Sequence, residues 1–100
     1  MIDLNKCATM AFCNALDRQA NGANINAETI PMLKHCATEV IEATEAYARN
    51  ADRKVFASEL ADIICCALII ADNEMIDIEK AVLDCLEKNR LRAEGKGDKK

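Results

Sequence analysis

Residues that interrupt helices are scarce in this chain, which has three glycines and one proline among its 100 residues. Apolar residues instead recur at intervals of three and four along most of the sequence, the spacing that places them on one face of an α-helix. The shortage of breakers and this spacing together predict an all-α fold.

The chain also has no excess of basic residues, and its net charge is −4 at pH 7. This balance argues against general nucleic-acid binding, which relies on a basic surface. The first four residues lack the basic start and apolar stretch of a signal peptide.

The most apolar segment, residues 63–71, is too short to span a bilayer. Six cysteines occur without a Cys-x-x-Cys pair, which indicates reduced core thiols. We therefore expect a cytoplasmic protein with no membrane or nucleic-acid partner.

The breaks between apolar segments divide the chain into four helices. Thr29, Asp52 and Asp77 are suitable N-caps for the second, third and fourth helices. The predicted helices cover 3–20, 29–50, 52–73 and a segment that starts at 77. No linker divides them, so residues 1–92 are expected to form one helical domain, followed by a flexible tail at 93–100.

Helical periodicity also predicts which residues face the core. The third helix contains nine uncharged residues, 63–71, and a helix that is apolar all round is expected to be enclosed on every side, in a core or in an interface. The predicted core residues of the second helix are Leu33, Cys36, Ala37, Val40, Thr44 and Tyr47. Those of the fourth helix are Ile78, Ala81, Val82, Cys85 and Leu86.

Two pairs of acids carry the strongest chemical signal. Glu39 with Glu42, and Glu59 with Asp62, are each three residues apart, so each pair shares one face of its helix. If the two faces meet, four carboxylates gather, and each like-charged pair repels by about 3 kcal/mol at 5 Å and an effective dielectric constant of 20. Such a cluster calls for a cation. The alternative is that each pair simply lies on a solvated helix face.

The donor types indicate which cation the cluster would hold. Carboxylate oxygens favour Mg²⁺, with Mn²⁺ as the alternative. The single histidine, His35, excludes the paired Glu-x-x-His motifs of di-iron bundles. His35 lies between Glu39 and Glu42 in helical angle, which makes it a candidate substrate contact; the alternative is an ordinary hydrogen-bonded histidine. Cys66 follows Asp62 by one turn, so apolar surface adjoins the acids, and this combination suits a nucleotide.

These residues resemble a known family. The segment 37–46, followed by Glu59-Leu60-Ala61-Asp62, resembles the Glu-Glu-x-x-Glu, spacer, Glu-x-x-Asp signature of the MazG-like all-α nucleoside triphosphate pyrophosphohydrolases. The similarity covers residues 33–92 and extends to Asn89 and Arg92, which resemble the closing Asn-x-x-Arg of the family. The chain departs from the pattern at Thr38, which occupies the position of the first glutamate, at Cys85 and at residues 96–98.

The resemblance implies a four-helix MazG-like bundle that is completed by homo-oligomerisation, as a homodimer or a dimer of dimers. It implies Mg²⁺-dependent hydrolysis of a (d)NTP to the (d)NMP and pyrophosphate, with the removal of non-canonical nucleotides as one candidate role. It assigns Glu42 and Glu59 to catalysis. The metal ligands that it implies are Glu39, Glu42, Glu59 and Asp62.

Candidate substrate contacts and two alternative functions complete the sequence-based expectations. The candidate contacts to the substrate are His35, Lys54, Cys66, Lys88, Asn89, Arg92, Phe12 and Asn14. Of these, Lys54, Lys88, Asn89 and Arg92 are expected to contact the phosphates of the substrate. Phe12 and Asn14 are expected to contact its base. One alternative is the related phosphoribosyl-ATP pyrophosphohydrolase, and the other is a non-catalytic helical interaction module that binds through its apolar third helix.

Overall fold

The computed structural model describes residues 2–95 and confirms the predicted all-α class. It contains four helices, which are α1 (Leu4–Ala20), α2 (Thr29–Ala48), α3 (Arg53–Asn73) and α4 (Ile78–Ala93). Residue 1 and residues 96–100, which form most of the predicted tail, lie outside the described residues. Ala93, the first residue assigned to that tail, is the last residue of α4.

Short acidic side chains begin three of the helices. Asp3, Asp52 and Asp77 each accept hydrogen bonds from backbone amides in the first turn of α1, α3 and α4, respectively. These amides have no partner within the helix, so an aspartate at this position stabilises the helix by about 1 kcal/mol. The predicted caps at Asp52 and Asp77 are therefore confirmed. In α2 the N-cap is Glu28, and Thr29 is the first helical residue.

Helix α3 lies at the centre of the molecule, where α1 and α2 both pack against it. Helices α2 and α3 form an antiparallel hairpin, which is closed at one end by Asn73 donating to the Thr29 hydroxyl at 2.9 Å. Helix α1 packs along the second half of α3, and the Thr9 hydroxyl donates to Asp72 at 2.9 Å. The α2–α3 hairpin is therefore the structural unit that carries both acidic pairs.

The core is built largely from small side chains. One cluster joins α1, α3 and the start of α2, and its buried members are Ala15, Ala27, Met32, Cys66 and Ile69. Further buried alanines, including Ala43 and Ala46, line the inner face of α2. Alanine allows the helix backbones to approach closely, which leaves little space between them for larger side chains. Many of the large apolar side chains are therefore exposed.

The predicted core face of α2 is largely wrong. Leu33, Val40 and Tyr47 are exposed, whereas Glu39 is buried. Helix α3 packs against the arc of α2 that carries Met32, Glu39 and Ala43, and this arc is rotated from the stripe of large apolar residues. Helix α3 is also not enclosed within one chain, since Ile64 is 58% exposed, so the predicted enclosure would require an interface.

Helix α4 is attached to the rest of the molecule chiefly by polar contacts. The Asn5 side chain donates to Asp77 at 2.9 Å and accepts from the backbone amide of Ile78 at 3.0 Å. Glu79 accepts from the backbone amide of Leu4 at 2.9 Å. No residue of α4 is buried, so the prediction that Val82 and Leu86 face a core within one chain is wrong.

Two further expectations concern the membrane and the cysteines. Within residues 2–95, no helix combines the length and the apolar character that crossing a bilayer requires. The six cysteines, all in this part of the chain, are free, and Cys66 is buried. Cys13, Cys65 and Cys85 are exposed, so the expectation that the thiols are core residues fails for these three.

Candidate metal centre

Three of the predicted acids meet where α2 packs against α3. Carboxylate oxygens of Glu39, Glu42 and Glu59 all lie within 4.8 Å of one another. The spacing of three residues places the first two on the same part of α2, and the antiparallel packing brings Glu59 of α3 to meet them. The structure therefore joins the two acidic segments that the sequence separates by 16 residues.

Two of these carboxylates contain buried oxygens without a hydrogen-bond partner. Glu39 is 9% exposed, and its Oε1 atom is both buried and unpaired; Glu59 Oε1 is in the same condition. Folded proteins pair nearly all their buried polar atoms, because an unpaired one loses its hydration without compensation. Two such atoms in one cluster of acids make the cluster a candidate ligand site.

The electrostatic environment of Glu39 is unfavourable to its charge. Burial raises the pKa of Glu39, and the neighbouring carboxylates of Glu42 and Asp62 raise this pKa further. His35 opposes these effects, with its Nε2 atom 2.9 Å from Glu39 Oε2. A divalent cation between the carboxylates would lower the pKa of Glu39 more strongly than His35 does, because the cation carries two positive charges.

The residues present fit a hard divalent cation. All three ligand groups are carboxylates, which suit Mg²⁺ or Mn²⁺, and no thiol or imidazole belongs to the cluster. Glu39 and Glu59 approach from opposite helices, and Glu42 is exposed at the outer edge. The exposed position of Glu42 suits this ion, since Mg²⁺ usually keeps several water molecules among its ligands.

Asp62, the fourth predicted ligand, lies next to this cluster without belonging to it. It follows Glu59 by almost one turn of α3, it is exposed, and its charge acts on Glu39. Cys66, one turn further along, is buried in the core cluster, where burial raises the pKa of its thiol to about 12. The thiol is therefore neutral at physiological pH, beneath the acids.

The remaining predicted substrate contacts are spread over three helices. Phe12 of α1 packs against the core cluster, Asn14 is exposed on the same helix, and Lys54 is exposed in the first turn of α3. On α4, the exposed residues are Lys88, Asn89 and Arg92. Within residues 2–95, α4 packs against α1 and α3 and makes no contact with α2. One chain therefore does not bring the α4 residues to Glu39 and Glu42 on α2.

The opposite side of the α2–α3 hairpin contains an open apolar groove of about 360 Å³. At one end, the rings of Tyr47 and Phe56 are in contact, with their centroids 5.4 Å apart. The residues that line the groove are Val40, Ala43, Thr44, Tyr47, Phe56, Leu60 and Ile63. Sequence reasoning missed this surface, because it assigned Val40, Thr44 and Tyr47 to the core.

The α2–α3 hairpin has an acid side and an apolar side. The acid side carries His35, Glu39, Glu42, Glu59 and Asp62. The apolar side carries Ile30, Leu33, Ala37, Val40, Thr44 and Tyr47 of α2, with Phe56, Leu60 and Ile64 of α3. Val40 and Glu42 are two residues apart, as are Leu60 and Asp62, and this spacing turns the members of each pair about 160° away from each other.

Comparisons with known proteins give no family for this chain. No family model, no curated protein and no solved structure matches it.

Proposed function

We propose that this protein is a Mg²⁺-dependent nucleoside triphosphate pyrophosphohydrolase, which hydrolyses a (d)NTP to the (d)NMP and pyrophosphate. The observation that carries the proposal is the pair of buried, unpaired oxygens, Glu39 Oε1 and Glu59 Oε1, which belong to a cluster completed by Glu42. The MazG-like resemblance of residues 33–92 supports the same activity, since three of the four acids that match its signature, Glu39, Glu42 and Glu59, form the cluster.

The acids have distinct roles in this proposal. Glu39, Glu42 and Glu59 would hold the cation where α2 meets α3, and Asp62 would be the fourth ligand. When present, Mg²⁺ supplies positive charge to the phosphate oxygens and lowers the pKa of a coordinated water. Glu42, at the exposed edge, orients the attacking water and accepts its proton. Water oxygen bonds to phosphorus, and the anhydride bond between the α and β phosphates breaks.

The role of His35 follows from its contact with Glu39. Its Nε2 atom lies 2.9 Å from Glu39 Oε2 and leaves Oε1 unpaired. Held in this way, Glu39 keeps one oxygen directed away from the histidine and available for a cation. His35 is therefore a positioning residue for the metal ligand, and its partly exposed ring can also reach a bound phosphate.

The proposal includes a homo-oligomer, either a homodimer or a dimer of dimers. Its support is the large apolar surface that one chain leaves in contact with water, including Tyr47, which is 71% exposed, and Leu86, which is 60% exposed. Large apolar side chains exposed on separate helices in this way often mark surfaces that another molecule covers.

The direct test is a screen for pyrophosphate release from canonical and modified nucleoside triphosphates, with Mg²⁺ and with a chelator. We expect release that requires metal and is lost in Glu59→Gln. The matched control is Glu45→Gln, the same chemical change at an exposed position of α2. Including phosphoribosyl-ATP in the panel distinguishes the related pyrophosphohydrolase. The proposal is wrong if the wild-type chain binds Mg²⁺ but releases no pyrophosphate from any of these substrates.

A second candidate function is a non-catalytic helical interaction module, and the apolar side of the hairpin favours it. An open groove with aromatic residues at one end is a typical docking surface for an amphipathic helix. This function predicts that Glu59→Gln leaves partner binding unchanged and that Mg²⁺ does not bind. Titration of Mn²⁺, followed by its electron paramagnetic resonance signal, therefore separates the two functions without a nucleotide.

A further inference from the structure

The side of α2 that packs against α3 contains a cysteine. Met32, Glu39 and Ala43 are buried on this side, and Cys36 continues their spacing, four residues after Met32 and three before Glu39. This alternation of four and three keeps successive residues on one side of a helix. Cys36 is partly buried and packs against the core cluster that contains Cys66. The thiol of Cys36 therefore lies between α2 and the rest of the core.

The register of the hairpin shows which residue of α3 faces this thiol. At one end of the hairpin the Asn73 side chain donates to Thr29, and at the other end the rings of Tyr47 and Phe56 are in contact. In the antiparallel register that these two contacts define, position 36 lies opposite positions 66 and 67. Of these two α3 residues, Cys66 is the buried one, with an exposure of 5%. One cysteine from each helix therefore meets the other in the core.

The geometry of close helix packing permits a disulfide at this place. The axes of packed helices lie about 8 to 10 Å apart, and each Cα atom lies about 2.3 Å from its axis. Facing Cα atoms are therefore about 3.5 to 5.5 Å apart, and a disulfide joins Cα atoms that are about 4.4 to 6.8 Å apart. The electrostatics agree with this proximity, since burial, followed by the neighbouring Cys36, raises the pKa of the Cys66 thiol to about 12.

The exposed cysteines are placed differently. Cys65 is next to Cys66 in the chain, but consecutive residues of a helix point about 100° apart, and Cys65 is exposed. Cys13 of α1 and Cys85 of α4 are exposed as well. The pair formed by Cys36 and Cys66 is thus the one that the packing of α2 against α3 brings together.

We propose that Cys36 and Cys66 form a site of reversible oxidation, at which hydrogen peroxide converts the two thiols to a disulfide between α2 and α3. Both cysteines are reduced in the structure, and Cys36 is the more accessible of the two. An oxidant therefore reaches Cys36 first. No carboxylate takes part, so the inference goes beyond the proposed hydrolase and does not depend on it.

The oxidation takes place in two steps. The sulfur of Cys36 attacks one oxygen of hydrogen peroxide, the O–O bond breaks, and a sulfenic acid forms while the leaving hydroxide takes the thiol proton as water. The sulfur of Cys66 then attacks the sulfur of the sulfenic acid, the S–O bond breaks, and the hydroxide leaves with the Cys66 proton as a second water. Since Cys66 is a neutral thiol at physiological pH, this second step depends on its position opposite Cys36.

The disulfide would join the two helices close to the acids. Cys36 precedes Glu39 by three residues, and Cys66 follows Asp62 by four. The hairpin is joined at one end by residues 49–52, and the disulfide would add a covalent link nearer to its other end. Oxidation would therefore hold together the two helices that carry the acidic cluster.

The test is oxidation of the full chain by hydrogen peroxide, followed by alkylation of the remaining thiols and digestion with trypsin without reduction. The chain carries Cys65→Ser, so that the tryptic peptide 55–80 contains Cys66 alone, while peptide 35–49 contains Cys36. Mass spectrometry of the monomeric band from a non-reducing gel should find these two peptides joined. This product should exceed disulfides between chains by about 100-fold, because an effective concentration in the millimolar range competes with about 10 µM protein.

The controls change one cysteine or the fold. Cys36→Ala and Cys66→Ala should each remove the joined peptide, and Cys13→Ser, which changes an exposed cysteine, should retain it; circular dichroism checks that each variant is helical. Oxidation in concentrated urea should abolish the preference for this pair. The inference is overturned if the peptides of Cys36 and Cys66 stay separate after peroxide has oxidised the exposed thiols. It is also overturned if they are joined only in covalent dimers, or joined equally well in urea.

Discussion

The two sides of the α2–α3 hairpin depart from ordinary protein surfaces in opposite ways. On the acid side, carboxylate oxygens of Glu39 and Glu59 are buried without partners. On the apolar side, Tyr47 and Ile64 are exposed without a covering layer. A single folded chain rarely tolerates either condition without a reason. The difference separates two proposals, a cation between the acids on one side and an apolar partner on the other, and each can be tested without the other.

Both conditions arise from the same helical packing. Helix α3 meets α2 along a line of small residues such as Ala43, and Glu39 shares that line. Side chains on either flank of the line cannot enter it. Val40 and Glu42 lie on opposite flanks of this line. The acidic and the apolar residues are therefore on opposite sides of the same helix pair.

The largest expected effect concerns catalysis, and it should be confined to the acid side. Glu59→Gln should lower metal-dependent pyrophosphate release by about 1,000-fold, because it removes a ligand whose charge supports the transition state. Tyr47→Ala, on the apolar side, should change the rate much less. If Glu59→Gln and Tyr47→Ala lose equal amounts of activity at saturating Mg²⁺, the effect would not be confined to the acid side.

Metal binding should stabilise the fold only when the acids are intact. At a free Mg²⁺ concentration about 100 times the dissociation constant, linkage gives about 2.7 kcal/mol, which raises the melting temperature by about 10 °C or more. Glu39→Gln should remove this increase, and Glu45→Gln should retain it. Thermal unfolding followed by circular dichroism measures the shift, and an unchanged shift in Glu39→Gln would rule out Glu39 as a ligand.

Without metal, the same substitution should have the opposite effect. Glu39→Gln removes a buried charge next to Glu42 and Glu59 and provides an amide that can donate to their oxygens, so we expect about 1 kcal/mol of added stability. Urea unfolding in the presence of a chelator measures the change. A loss of stability would show that the His35 contact outweighs the repulsion.

The pH dependence of the metal-free chain follows from the raised pKa of Glu39. Since burial and the neighbouring carboxylates raise this pKa above its ordinary value of 4.5, the folded state binds the proton more tightly than the unfolded state. The contribution of Glu39 is fully present below pH 4.5 and declines as the pH rises through the raised value. Glu39→Gln should remove this part of the profile, which urea unfolding across the pH range would reveal.

The smallest expected effect is the coupling between the two sides. Glu39 and Tyr47 are eight residues apart on α2, about 12 Å along its axis. The stability changes of Glu39→Gln and Tyr47→Ala should therefore add to within about 0.5 kcal/mol in the metal-free chain at one protein concentration. A double-mutant cycle by urea unfolding measures this coupling, and a much larger value would mean that metal and partner communicate through α2.

Local features of the fold could be predicted from the sequence. The shortage of glycine and proline indicated helices, and Asp52 and Asp77 marked two helix starts because a short carboxylate caps free amides. The acidic spacing also indicated which glutamates could meet. These features depend only on neighbours within one or two turns.

The choice of buried face could not be predicted in the same way. Assigning large apolar residues to the core selects Leu33, Val40 and Tyr47, yet α2 buries Met32, Glu39 and Ala43 in their place. Periodicity shows that a stripe exists, but it does not show whether the partner belongs to the same chain. The 3–4 spacing of the α2 stripe fits both a core face and a helix-pairing surface, and the sequence alone does not distinguish them.

The attachment of α4 has a consequence for the order in which the protein opens. Its 16 residues are held near their start by contacts of Asn5 and Glu79, and none is buried in a single chain. An isolated helix of this length is only marginally stable in water. Backbone amides of α4 should therefore exchange with deuterium well before those of α3, and slower exchange at higher protein concentration would show that another copy shields this helix.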